Sequence, residues 1–412
     1  MSRRVVITGL GPVTSIGIGV DKFWSSILSG KSGISRVKGY DASRFDTQIA
    51  AEIHDFPVEK FVSKKEQKRM DRFCIFALAG AQLALEDAGM TSETYPKDRV
   101  GVIVGSGIGG IGSIETQHEI LRSKGPERLN AFLIPMIIIN MGSGLVAIRY
   151  GFKGPNTSVA TACATGTHAI GDSFRIIQRG EADAMIAGGA EACITPLAMG
   201  GFCALHAMSR RNNEPERASR PFDKGRDGFV MGEGAGVVVL EEYEHAKNRG
   251  ARIYAEVVGY GMTCDAHHIT APLDDGSGIA AAAEFAIRES NLSIEFFNYV
   301  NAHGTSTHFN DKFETVAIKK VFGDRAKKIM VSSTKSMTGH MIGAAGGVET
   351  IVCALSVSRN QVPPTTNYEE PDPDCDLDYV PNEAREAEVT AALNENLGFG
   401  GHNAVLALSK LK

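Results

Sequence analysis

Among the 412 residues there is no Cys-x-x-Cys pair, no excess of positive charge and no long apolar run. Each absence excludes something. The seven cysteines (Cys74, Cys163, Cys193, Cys203, Cys264, Cys353 and Cys375) are odd in number and scattered. A disulfide framework or a structural zinc site is therefore not expected, and a reducing compartment fits better. Lys and Arg total 43 against 48 Asp and Glu, a net charge of −5, so nucleic acid is a poor first expectation for a partner. The longest apolar stretch, Ala131–Ile139, is interrupted by Pro135 and falls short of the ~18 residues that a membrane span needs. The apolar stretch at the N-terminus breaks at Gly9 and Gly11, too early for a secretory signal. The expectation is a soluble, cytoplasmic protein without a membrane segment.

What is present is ordinary in bulk: 43% apolar and 22% charged residues, enough to exclude a disordered chain and to build a sizeable core. Glycine is high at 46 residues, which suggests tight turns and close backbone approaches. Short β-branched runs (RRVVITG, RVGVIVG, EADAMIAGG, GEGAGVVVLEE, ARIYAEVVGYG, YVNAHG, IMVSSTK) alternate with helical patterns, one of them around 65–89. That alternation argues for an α/β fold. Two units echo one another. RVGVIVGSGIGG (99–110) resembles YVNAHGTSTH (299–308), and NTSVATACATGTHAIGDSFRII (156–177) resembles IMVSSTKSMTGHMIGAAGGVETIV (329–352). A duplication would divide the chain into halves 1–250 and 251–412, where NRGARIY restarts a strand. The polar segments 209–228 and 363–382 read as long loops.

GSGIGG at 105–110 has the dinucleotide-binding spacing and follows a strand, but no second strand ending in an acidic residue comes after it. It reads as a glycine turn. His267-His268 and the His303, His308 pair lack metal-ligand spacing, so no metal is expected. Cys163 in SVATACATGTHAI is different. It lies where a β-rich run yields to small residues and a helix, a position where backbone N–H groups and the helix dipole favour thiolate. His303 in NAHGTST and His340 in KSMTGHMIGAAGG stand in similar small-residue turns. Three such turns at strand ends can converge on one site, as strand ends do in open α/β folds. Buried structural roles for the cysteine and both histidines are the competing interpretation.

VATACATG, NAHGTST, STKSMTGHMIGAAGG and NLGFGGHNA together resemble the β-ketoacyl-[acyl-carrier-protein] synthases, most closely the elongating type II (KAS II) group of bacterial fatty-acid synthesis. The resemblance runs along essentially the whole chain. It implies a thiolase-like five-layer αβαβα fold of two duplicated halves and a homodimer. It also implies decarboxylative condensation of malonyl-carrier with a cysteine-bound acyl chain. Cys163 would be the nucleophile, His303 and His340 the paired histidines, and Lys335 with Glu349 the ion pair of the same site. The N–H groups of Cys163 and Phe399 would form the oxyanion hole. Thr305, Thr307 and Thr270 would hold phosphopantetheine, and Ile108 and Phe202 would line the acyl pocket. No cofactor of the protein's own is implied; phosphopantetheine arrives on the acyl carrier protein.

His308, His267 and His402 depart from the residues usual at their positions (proline, an aromatic and threonine), and His402 affects the gate loop most directly. A thiolase would need a second cysteine where Phe399 stands, an initiating synthase would have asparagine in place of His340, and a chain-length partner would lack Cys163. A polyketide or aryl-polyene ketosynthase shares all the site residues and stays open. Lys64, Lys65, Lys68, Arg69 and Arg72 in KKEQKRMDR offer a basic helix for an acidic carrier.

Overall fold

The computed structural model describes residues 3–90 and 95–411. Among the described residues, the main path of the large sheet takes five strands from each half of the chain: β1 (Val5–Thr14), β2 (Val100–Gly105), β3 (Asn156–Thr157), β4 (Ala184–Glu191) and β5 (Gly234–Glu242), then β6 (Ala255–Cys264), β7 (Phe297–Asn301), β8 (Met330–Ser332), β9 (Ala391–Gly398) and β10 (His402–Ser409). The spatial order is β8-β7-β9-β10-β6-β1-β5-β4-β2-β3. Read outward from the β1–β6 junction, both halves run first, fifth, fourth, second, third. The directions repeat as well. β1–β5, β5–β4, β6–β10 and β10–β9 are antiparallel, whereas β4–β2, β2–β3, β9–β7 and β7–β8 are parallel. The two echoes in the sequence are thus strands in matching places: β2 with β7, and β3 with β8.

Helices complete the layers. α1 (Arg72–Asp87) covers the outer face of β1, β4 and β5, and α3 (Ser277–Glu289) covers β6, β9 and β10. Between the two halves of the sheet lie α2 (Thr165–Gln178) and α5 (Ala345–Arg359), each touching strands of both halves. α4 (His308–Phe322) packs beside α3. The result is the expected αβαβα stack.

A helix between the two halves of the sheet has little solvent face, so α5 is buried from Ala345 to Val357, all but its last two residues. The stretch Ile342–Arg359 is long and apolar enough to cross a membrane by length and composition, yet 89% of it is buried inside this protein. Glycine permits the contact between layers. A Cβ on Gly347 would lie 2.1 Å from the Gly236 carbonyl oxygen, so the backbones of α5 and β5 meet without side chains between them.

One helix expected around residues 65–89 is two. Lys64–Gln67 is closed at its start by a Ser63–Glu66 capping box, and α1 begins afresh at Arg72. Asp71 causes the break. Its carboxylate accepts from the Phe73 N–H at 3.1 Å and from the Ser113 N–H and hydroxyl at 3.0 and 2.6 Å, so it caps a new helix while tied to another segment. The 209–228 segment is a loop as expected, but its second part is buried. Arg220 pairs with Asp223 inside it, and Arg226 pairs with Asp311 and Asp372 outside it.

Candidate active site

Cys163 sits between β3 and α2, in a single 3-10 turn (Ala162–Ala164). Ala162 has φ 49°, a left-handed conformation costly for alanine, and the Thr165 hydroxyl holds it there. That hydroxyl accepts from the Thr161 N–H at 2.8 Å and donates to the Ala162 carbonyl at 2.8 Å. The matching turn in the second half, Ile342–Ala344, repeats the geometry with Ile342 at φ 47°.

His303 follows β7 and His340 lies between β8 and α5, so all three turns do converge. His340 Nε2 lies 2.9 Å from Cys163 Sγ, and the two imidazole rings are 5.4 Å apart and nearly perpendicular. Lys335 Nζ lies 3.5 Å from His303 Nδ1 and 2.5 Å from Glu349 Oε1. Asn396 then donates to Glu349 Oε2 at 2.5 Å and receives the Thr167 hydroxyl on its own oxygen. Lys335 and Glu349 are all but fully buried.

These contacts determine charge and tautomer. Lys335 has only donors, so His303 Nδ1 accepts and the His303 proton is on Nε2, facing the cavity. Burial first, then the Lys335 charge, pushes both histidines well below their usual pKa, and they are neutral imidazoles. Cys163 corrects the sequence expectation. Burial pushes its thiol up to about 12, outweighing the Lys335 charge and the Phe399 N–H that favour thiolate. The helix dipole does not win in the resting site. The neutral thiol shares a hydrogen bond with His340 Nε2 instead.

The Phe399 N–H reaches the Cys163 sulfur from the turn between β9 and β10. Gly398 makes this approach possible, since a Cβ there would lie 2.4 Å from the Thr161 carbonyl oxygen and 3.4 Å from the Cys163 nitrogen. The turn is clipped from outside. Gly400 donates to the Ile269 carbonyl at 2.9 Å and Asp265 to the Gly401 carbonyl at 2.8 Å. His402 does not touch the sulfur; its ring stands 6.3 Å from that of His168.

A cavity of about 390 Å³ is lined by Cys163, His303, His340 and Phe399 together with Thr270, Thr305, Thr307, His308 and Phe309. The Thr305 and Thr307 hydroxyls are 3.0 Å apart. Arg226 holds their loop through the Thr307 and His308 carbonyls. Phe202 lines the cavity; Ile108 does not, but packs behind it in the apolar cluster that includes Cys163, Phe202 and Ile342. Of the basic residues, Lys64, Lys65, Lys68 and Arg69 are exposed, Lys64 beside Glu59 and Arg69 over the Phe132 ring. Arg72 is exposed as well, but its guanidinium is bonded to both oxygens of Glu233.

Sequence patterns match this geometry. Residues 2–246 fit the model of the β-ketoacyl synthase N-terminal domain, and residues 254–369 that of the C-terminal domain. The chain belongs to the β-ketoacyl synthase family. It is 52% identical over 408 residues to a 3-oxoacyl-[acyl-carrier-protein] synthase 2 of Synechocystis sp., covering 99% of this chain and 98% of that one. A protein of the same name from Coxiella burnetii is 51% identical, with 99% of each covered. Among solved structures, the ishigamide ketosynthase/chain length factor superposes with a TM-score of 0.94 at 37% identity, covering 100% of both chains. A type II polyketide ketosynthase solved with its acyl-carrier protein superposes with a TM-score of 0.92 at 36% identity, also covering 100% of both. As a β-ketoacyl synthase, this chain has residues in supporting places that sequence reading passed over: Asn396, Glu191 and Glu314. Glu314 accepts from the His303 and Gly304 N–H groups at 2.6 and 2.8 Å. Glu191 stands inside an apolar run, which is a signal for it; Asn396 in Asn-Glu-Asn and Glu314 in a charged helix carry none.

Proposed function

We propose that this β-ketoacyl synthase elongates fatty acyl chains carried on acyl carrier protein, and that Cys163, His303, His340, Lys335, Glu349 and the Phe399 N–H divide the work. The supporting observation is the chain Cys163–His340–His303–Lys335–Glu349, whose first three members line one cavity with Thr270, Thr305 and Thr307. Relatives named 3-oxoacyl-[acyl-carrier-protein] synthase 2 are 49–52% identical, against 36% for the type II polyketide ketosynthase, which favours the fatty-acid reading.

Cys163 attacks the acyl thioester carbonyl; its proton leaves toward His340, and the carrier's pantetheine thiol departs protonated. The Cys163 and Phe399 N–H groups hold the oxyanion between. Malonyl-carrier then enters along Thr270, Thr305 and Thr307. Its carboxylate leaves as CO₂, the C–C electron pair becoming an enolate whose oxygen faces His303 Nε2–H and His340. Neutral imidazoles suit this role because they donate hydrogen bonds to the oxygen without giving up a proton to it. The enolate carbon attacks the acyl-Cys163 carbonyl, the C–S bond breaks with its electron pair on sulfur, and the Cys163 thiolate regains its proton from water as β-ketoacyl-carrier leaves. Lys335 and Glu349 orient His303 and keep it neutral. No metal or redox cofactor enters this sequence.

The N-terminal half, to about residue 250, brings the nucleophile and the second half the histidines. The carrier docks on the exposed Lys64, Lys65, Lys68 and Arg69, and two copies pair through exposed Ile134, Ile138, Ile148 and Leu197. Seven free cysteines suit a cytoplasmic protein. Incubation with acyl-carriers of graded length, followed by mass spectrometry of the Cys163 peptide and assay of β-ketoacyl product, tests the proposal. Acylation with release of CO₂ and product is expected; a Cys163 peptide that never gains acyl mass would overturn it.

A further inference from the structure

Glu191 ends β4 fully buried, and its carboxylate takes four hydrogen bonds from uncharged donors on two separate turns. One oxygen accepts the Gly107 N–H at 2.8 Å and the Gly343 N–H at 3.0 Å. The other accepts the Ser106 hydroxyl at 2.6 Å and the Ile108 N–H at 3.3 Å. Ser106 Oγ in turn accepts the Gly109 N–H at 2.9 Å. A carboxylate already on the Gly107 and Ile108 N–H groups also explains why GSGIGG cannot cradle a phosphate.

Those two turns carry Ile108 and Ile342, and both side chains belong to the apolar cluster around Cys163 and Phe202. Glu191 thus ties together, through backbone, two walls of the space behind the nucleophile. Nothing in the condensation chemistry uses it.

We propose that Glu191 is a positioning residue that sets chain-length selection, by clamping the Ile108 turn against the Ile342 turn. This rests on the reading that the acyl chain on Cys163 runs toward Ile108. Pinned from behind its backbone, Ile108 is a firm end-wall; released, it yields to a longer chain.

Glu191→Gln tests the clamp. The amide has one acceptor oxygen, which stays where Gly107 and Gly343 converge. Its NH₂ then faces Ser106, whose hydroxyl can rotate and accept, and the Ile108 N–H, which cannot. Only the Ile108 tie is lost. The ratio of kcat/KM for long over short acyl-carriers is expected to rise about five- to tenfold, the factor carried by one hydrogen bond. Turnover of the shortest acyl-carrier should stay within about twofold, as expected when no reacting group is touched. In an Ile108→Ala background Glu191→Gln should leave the ratio unchanged, because the wall it positions is already gone. Equal loss at every chain length, or an effect undiminished by Ile108→Ala, would overturn the proposal. If Glu191→Gln does not fold, Ser106→Ala takes its place, with a smaller rise expected that again vanishes in the Ile108→Ala background; an additive effect overturns the proposal. The mass of the Cys163 peptide is read in each variant, so a failure of acylation is told apart from a failure of the clamp.

Discussion

Removing Glu349 should separate what the buried ion pair does for stability from what it does for catalysis. Lys335 and Glu349 are 1% and 3% exposed and 2.5 Å apart, so neither charge has water to fall back on. Breaking such a pair from one side costs about 3–5 kcal/mol, because the survivor is left desolvated. At an unfolding entropy of about 2.1 cal/mol/K per residue, that corresponds to a fall in Tm of roughly 3–6 °C for a chain of this size. Glu349→Gln keeps the shape and the Asn396 contact, so the loss belongs to the charge. Lys335→Met alone leaves Glu349 unpaired and should cost a similar amount. The double variant Lys335→Met/Glu349→Gln has no stranded charge and should recover most of the stability. Activity should not follow. With Lys335 gone, nothing donates to His303 Nδ1, the imidazole is free to take the other tautomer, and decarboxylation should stay low in the double variant. Cys163 should still acylate. The assay is scanning calorimetry at fixed protein concentration beside the two half-reactions, CO₂ release and acyl transfer. A double variant whose Tm loss equals the sum of the single losses would refute the coupling. Restored decarboxylation in that variant would refute the role of Lys335 in setting the tautomer.

The half-reactions should also part at the reacting residues. Cys163→Ala should stop condensation while malonyl-carrier still releases CO₂. His303→Ala should acylate but lose decarboxylation by ~10²-fold or more, and loss of acylation instead would reassign His303 as the base. Gly398→Ala places a methyl 2.4 Å from the Thr161 carbonyl, so the turn must shift and carry the Phe399 N–H away. A fall in kcat of ~10²-fold is expected, and an unchanged kcat would remove that N–H from the oxyanion hole. Burial holds Glu314 up at about 7, and burial with the Glu314 charge holds Glu395 well above the usual carboxylate range. A folded pKa above the unfolded value stabilises at low pH and is lost as pH rises, for Glu314 through about 7. Tm should therefore fall from about pH 5 to about pH 8 more steeply in the native chain than in Glu395→Gln; parallel curves would refute the assignment. Lys65→Glu with Arg69→Glu should raise KM for carrier-bound substrate and leave a small pantetheine thioester unaffected, and equal effects on both would exclude this docking surface.

Sequence alone placed Cys163, His303 and His340 in short small-residue turns, and the structure brings those turns together; Lys335 and Glu349 lie in helices and were implied only by the family resemblance. The echo of β2 in β7 and of β3 in β8 is visible because equivalent buried strands and small-residue turns face the same packing demands twice. Three things needed the tertiary structure. The state of Cys163 was one: a helix N-terminus favours thiolate, but burial is set by everything packed around the sulfur, and it raises the thiol to about 12. The availability of Arg72 was another, since Glu233, 161 residues away in sequence, occupies its guanidinium. The last was the supporting shell of Glu191, Glu314 and Asn396. Their partners come from other strands and turns, as Glu191 bonds Ser106 across 85 residues, and periodicity within one segment carries no record of such contacts. Local chemistry is written along the chain, whereas desolvation and pairing between segments exist only once the layers have closed.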